Sequence, residues 1–163
     1  MMTAAVVTVS DSAARGERAD LSGPATAEVL RQHGFEVVIS RVVADDQQQI
    51  EDALVHSAEQ VQLVVTTGGT GIAERDVTPE ATRAVCYKLI EGIPEKMRAD
   101  GLAQTPYAIL SRGVCGVRGR SLILNLPGSP KGAVDSLQAV VHILPHAIDL
   151  LAGKTGHGEV ESL

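Results

Sequence analysis

The chain has 163 residues, 44% hydrophobic and 2% aromatic, with 14 Lys plus Arg against 20 Asp plus Glu for a formal charge of -6. Trp is absent, so the core must be built from Val, Ile, Leu and Ala, and a Trp-lined cofactor slot is excluded. The negative balance is the wrong sign for a protein that gains affinity by releasing counterions from DNA or RNA, while a local cluster of Arg, Lys and backbone N–H groups still suits an anionic small ligand.

Met1 to Ser10 is apolar but short and soon meets Asp11, so it does not read as a secretory leader, and no stretch approaches the ~20 apolar residues of a membrane span. A cytoplasmic protein of one domain, residues 1–163, is expected. Val6-Val7-Thr8-Val9 reads as a buried first strand closed by Ser10-Asp11-Ser12. Ser22-Gly23-Pro24 opens a helix that runs to His33 and stops at Gly34, and Phe35 to Val43 follows as a second strand. Asp45 or Asp46 can cap the next helix, where Ile50, Ala53, Leu54 and Ala58 recur at helical spacing. Val61 to Thr67 is a third buried strand. Thr78-Pro79-Glu80 looks like a helix start with Thr78 as the cap, and a short helix begins near Pro94. Tyr107 to Leu110 and Leu122 to Leu126 read as later strands, and Ser129-Pro130 begins a final helical region that Pro145 breaks or kinks. The polar tail from Lys154 is expected to fray. Strands alternating with helices predict an α/β fold, a three-layer α/β/α sandwich around a mainly parallel sheet.

Thr66-Thr67-Gly68-Gly69-Thr70-Gly71 follows a buried strand at the edge where open α/β sheets bind ligands. Glycines there let the backbone take positive φ and aim successive N–H groups at phosphate oxygens, although a bare tight turn needs glycine too. No Gly-Lys-Ser/Thr follows, and the last glycine of a dinucleotide fingerprint is missing. Pro127-Gly128-Ser129-Pro130-Lys131 repeats the pattern after a later strand, with Ser129 open to a reading as a helix cap and Lys131 as a solvated charge. Ser111-Arg112 and Arg118-Gly119-Arg120 add cations that can meet phosphates. Asp45 and Asp76 can converge over the sheet edge as a Mg²⁺ site shared with substrate phosphates, or can simply cap a helix and make an Asx turn. Cys86 and Cys115 lack metal-ligand spacing and are expected as free thiols, and the histidines form no ligand pattern.

Taken together, Ser10-Asp11, Thr66 to Gly71, Arg75 to Ala81, Ser111-Arg112 and Asn125 to Lys131 resemble the MogA/MoaB family, which includes the gephyrin G domain and the molybdopterin adenylyltransferases. The resemblance spans nearly the whole chain. It implies a usually trimeric protein of molybdenum cofactor biosynthesis that converts ATP and molybdopterin to adenylylated molybdopterin and pyrophosphate. It also implies Asp45 and Asp76 as the essential acids and the holders of Mg²⁺. By the same resemblance the ligand-binding residues are Ser10, Asp11, Thr67, Gly68, Gly69, Thr70, Gly71, Thr78, Pro79, Glu80, Ser111, Arg112, Pro127, Gly128, Ser129, Pro130 and Lys131. Transfer of the product to a molybdenum insertase is a further implied partnership. A MoaB-like carrier without adenylylation, or a CinA-type hydrolase on the same fold, are the alternatives.

Overall fold

The computed structural model describes residues 1–154. The tail expected to fray lies outside the described residues from 155 onward; Lys154 itself donates its backbone N–H to the Asp149 carbonyl oxygen at 3.0 Å.

Six strands form one sheet: β1 (Met2–Val9), β2 (Phe35–Val43), β3 (Leu63–Thr67), β4 (Lys88–Leu89), β5 (Cys115–Arg118) and β6 (Ser121–Leu126), in the order β2-β1-β3-β6-β5-β4. The pairs β1/β2, β1/β3 and β3/β6 are parallel, whereas β5 runs antiparallel to both β6 and β4. Side-chain alternation splits the strands between two cores. Ala4, Val6, Leu63, Val65, Leu122 and Leu124 face α2 (Ser22–Gln32), α5 (Gly92–Gly101), α6 (Pro130–Val140) and α7 (Leu144–Leu151). Ala5, Val7, Val9, Val64 and Ile123 face α3 (Gln47–Ala58) and α4 (Thr78–Val85). Burial on both faces explains why these strands read as continuous aliphatic runs. The predicted α/β sandwich is therefore the fold.

Topology places the ligand edge. From β1 the chain moves outward to β2 and returns to β3 on the other side of β1, so the loops leaving β1 and β3 diverge and open a crevice at their carboxyl ends. The loop after β6 joins the same edge because β6 pairs with β3.

Several expectations are corrected. Tyr107 to Leu110 is not a strand but part of a 3-10 segment, Pro106–Leu110. Thr105 Oγ1 accepts from the Tyr107 N–H at 3.2 Å and Pro106 presets the first turn, while Tyr107 stays 74% exposed. Asp46, not Asp45, caps α3, its Oδ1 accepting from the Gln49 N–H at 2.9 Å. Thr78 is the first residue of α4 instead of its cap, and the residue before it, Val77, makes no side-chain cap bond. Arg118 and Arg120 flank the β5–β6 hairpin, where Gly119 has φ 58, at the end of β6 away from the ligand edge. Arg118 Nη1 donates to the Val85 carbonyl oxygen at 2.9 Å. β4 and β5 escaped prediction because one is two residues long and the other carries a central glycine, Gly116. Pro145 does break the last helical region, standing in the first turn of α7.

Candidate functional site

At the carboxyl end of β1, Ser10 caps the four-residue α1 (Asp11–Ala14) by accepting from the Ala13 N–H at 3.2 Å. Asp11 and Asp45 then clasp each other's backbone: Asp11 N–H donates to Asp45 Oδ2 at 2.9 Å, and Asp45 N–H donates to Asp11 Oδ1 at 3.0 Å. Arg75 closes on Asp11 with two parallel bonds, Nε to Oδ2 at 2.6 Å and Nη2 to Oδ1 at 2.8 Å. That guanidinium holds the Asp11 carboxyl down at about 2. Asp45 moves the other way: burial raises its pKa, and the charges of Asp11 and Asp76 add to the rise.

The glycine turn is built under constraint. Gly68 and Gly69 have φ of 92 and 68, a region that costs side-chain-bearing residues. A Cβ at Gly68 would overlap the Val9 carbonyl oxygen, and one at Gly69 would overlap Thr78 Oγ1 and come within 3.2 Å of Asp45 Oδ1. A Cβ at Gly71 would sit 2.8 Å from Asp76 Oδ2. Asp45 and Asp76 therefore flank one turn, brought there from different strand ends. Asp76 Oδ2 reaches back to accept from the Ala73 N–H at 3.0 Å, so its turn closes backward and not toward Thr78.

Beneath the turn runs a buried polar relay that the sequence reading missed. Asn125 Nδ2 donates to Thr66 Oγ1 at 3.1 Å and to Thr82 Oγ1 at 2.9 Å, while its Oδ1 accepts from the Val114 N–H at 3.1 Å. Thr82 Oγ1 donates to the Thr78 carbonyl oxygen at 2.8 Å, and Thr78 Oγ1 donates to the Gly68 carbonyl oxygen at 3.0 Å. Fully satisfied networks of this kind rigidify what they touch. Ser22 and Thr67 add a hydroxyl contact at 2.8 Å that ties α2 to the end of β3. The only sequence signal was the unusual density of Thr and Asn on strands otherwise aliphatic.

The second turn abuts the first. Gly68 N–H donates to the Leu126 carbonyl oxygen at 3.1 Å, and a Cβ at Gly128 would lie 3.2 Å from Gly68 Cα. Ser129 caps α6, accepting from the Gly132 N–H at 3.0 Å; Pro130 opens that helix, and Lys131 pairs with Asp135 at 2.7 Å on its outer surface. Beside both turns lies a cleft of about 570 Å³ between α5, the 3-10 segment and α6, lined by Thr70, Gly71, Ser111, Pro127 and Ser129 together with Met97 and Tyr107. Both turns line it, the first through Thr70 and Gly71 and the second through Pro127 and Ser129.

Arg112 and Glu80, expected beside the phosphates, pair with each other at 2.5 Å. Pro79 is buried in the first turn of α4. The two thiols are unreactive by environment: burial pushes Cys86 up to about 11 and Cys115 up to about 12. Among the described residues no helix is long and apolar enough to cross a membrane, and no three His, Cys, Asp or Glu gather as a metal cage.

An open α/β sheet with glycine turns, helix starts and a pair of carboxylates at its switch point defines the class of phosphate-handling α/β proteins. Residues 5–146 match the family model described as "Probable molybdopterin binding domain", and the chain belongs to that family. It is 45% identical over 152 residues to the molybdopterin adenylyltransferase of Helicobacter pylori strain J99, covering 91% of this chain and 86% of the relative. The molybdopterin adenylyltransferase of Escherichia coli K12 is 41% identical over 165 residues, with 91% and 84% covered. The crystal structure of the molybdopterin biosynthesis enzyme MoaB from Thermus thermophilus superposes with a TM-score of 0.89 at 50% identity, covering 94% of this chain and 98% of that one.

Proposed function

We propose that the chain is a molybdopterin adenylyltransferase of molybdenum cofactor biosynthesis. A terminal phosphate oxygen of molybdopterin attacks the α-phosphorus of ATP, the bond to the bridging oxygen of the β-phosphate breaks, and pyrophosphate leaves. The nucleophile is already anionic near neutral pH, so no side chain has to remove a proton. What remains is to bring two polyanions together and to stabilise charge on the leaving group. The observation that carries the reading is that Asp45 and Asp76 flank the same glycine turn from opposite ends.

In this reading the backbone N–H groups of Gly69 to Gly71 and the N-terminus of α6 take phosphate oxygens, and the cleft beside them takes the pterin. Asp45 and Asp76 would be the residues that hold Mg²⁺, which suits so small a protein donor set because it keeps waters and substrate phosphates as its other ligands. Such an ion would neutralise the triphosphate and orient its leaving group. Asp45 and Asp76 hold and orient the metal–nucleotide pair; Asp11, fixed by Arg75, keeps Asp45 in place. We further expect a homotrimer and delivery of the product to a molybdenum insertase.

The test is pyrophosphate release by the purified protein given ATP, Mg²⁺ and molybdopterin. Release that depends on the pterin is expected. Pterin binding with no release would make the chain a carrier, and release without pterin would make it a nucleotide hydrolase.

A further inference from the structure

Arg112 lies beside the phosphate turn, and its charge invites assignment as a phosphate ligand. We propose instead that it is a positioning residue that sets the shape of the loop presenting Asp76; the inference rests on the adenylyl-transfer reading and deepens it. Three of its nitrogens already donate to the protein. Nε donates to the Gly71 carbonyl oxygen at 2.8 Å, Nη2 to the Asp76 carbonyl oxygen at 2.8 Å, and Nη1 to Glu80 Oε1 at 2.5 Å. Its backbone N–H donates to the Thr70 carbonyl oxygen at 2.9 Å.

These acceptors sit at the two ends of one short loop. A guanidinium is a flat fork whose N–H vectors are fixed, so bridging two carbonyl groups fixes the distance between them. The fork thereby sets the mouth of the Gly71–Asp76 loop, and its Glu80 arm ties that mouth to the first turn of α4. Inside the loop, Asp76 N–H donates to the Ala73 carbonyl oxygen and Ala73 N–H donates to Asp76 Oδ2, each at 3.0 Å. Asp76 keeps its carboxylate aimed only while that small ring stays closed. Arg112 holds the base of the loop on which that ring is built.

The two roles separate on replacing Arg112 by Lys or by Gln. Lysine keeps the charge and three rotatable donors but has no rigid planar fork to fix the separation of two carbonyl groups, so it should fail as a brace and succeed as a phosphate ligand. We expect Arg112→Lys and Arg112→Gln alike to lower kcat by about 10- to 100-fold, with KM for ATP and for molybdopterin within about 2-fold of wild type. A rise in KM for Arg112→Gln that Arg112→Lys restores overturns the proposal in favour of direct phosphate binding. Amide exchange in the ligand-free protein gives a readout that needs no catalysis. The Ala73 and Asp76 amides should exchange about 10-fold faster in both variants while the β6 amides stay unchanged. Unchanged exchange at Ala73 and Asp76 sinks the brace even if the protein is a transferase. Accelerated exchange in a protein that releases no pyrophosphate keeps the brace and removes the transferase. Should both variants fail to fold, Glu80→Gln decides: it leaves the carbonyl bridge intact, so exchange at Ala73 and Asp76 should move by less than about 2-fold. A 10-fold or greater change there, on the order of a lost local opening barrier, would shift the constraint to Glu80 and overturn the proposal.

Discussion

The two glycine turns look alike in sequence and differ in what they demand. The first, at Gly68 and Gly69, needs positive φ and leaves no room for a Cβ against Val9 and Thr78. The second, at Gly128, has no positive φ; its glycine lets the turn lie against Gly68, and its polar groups are those of an ordinary helix cap. One turn is shaped by its own backbone and the other by its neighbour. A glycine between a strand and a helix therefore does not by itself say how its turn is held. The acids that share the first turn separate the two.

The largest expected effect falls on those acids. Asp45→Asn should lower pterin-dependent pyrophosphate release by about 100-fold or more, on the scale of a lost electrostatic stabiliser. The amide oxygen can still accept from the Asp11 N–H and the like-charge crowding disappears, so the thermal midpoint should equal or exceed that of wild type. A midpoint far below wild type would recast Asp45 as a structural residue. The sign follows from its raised pKa: ionised Asp45 disfavours the folded state, a cost that sets in as pH rises through the unfolded value and on to the folded one. Cation binding, which needs the ionised form, should weaken on acidification earlier than an ordinary Asp would allow.

The next largest effect separates the two turns. Gly68→Ala combines a left-handed backbone with overlap on a main-chain oxygen, and should cost about 3 kcal/mol or more in chemical denaturation. Gly128→Ala meets only a Cα, at 3.2 Å, and should cost about 1 kcal/mol. Equal losses in the two variants would erase the distinction drawn between the turns.

The smallest effect belongs to the Asp11–Arg75 pair, which is exposed on the Arg side. Because Asp11 is held at about 2, whatever the pair adds is present above 3.8 and is lost as pH falls toward about 2. Arg75→Gln should shift the thermal midpoint little near pH 7, and 1 M salt should reduce even that.

The strand–helix alternation was legible because both sheet faces are buried and every central strand is an aliphatic run. The turns and acids were legible because chemistry at a sheet edge needs residue types that cores avoid. Tyr107 to Leu110 misled because an apolar run carries no period of its own, and the Thr105–Pro106 turn outweighed it. The hidden part was partnership: nothing local says that Asn125 reaches Thr82, that Arg112 spends its donors on Gly71 and Asp76, or that Arg75 crosses to Asp11. Those contacts join residues 36 or more positions apart.

The claim beneath all of this is that Asp45 and Asp76 together hold a nucleotide-bound divalent ion at the first turn. Electron paramagnetic resonance titration of Mn²⁺ with ATP, on wild type, Asp45→Asn and Asp76→Asn, tests it directly. The Mn²⁺–ATP complex should bind wild type and lose about 10-fold or more in affinity in each variant, while metal-free ATP, freed of a neighbouring negative charge, binds no more weakly than to wild type. Wild-type affinity for Mn²⁺–ATP in both variants would contradict it.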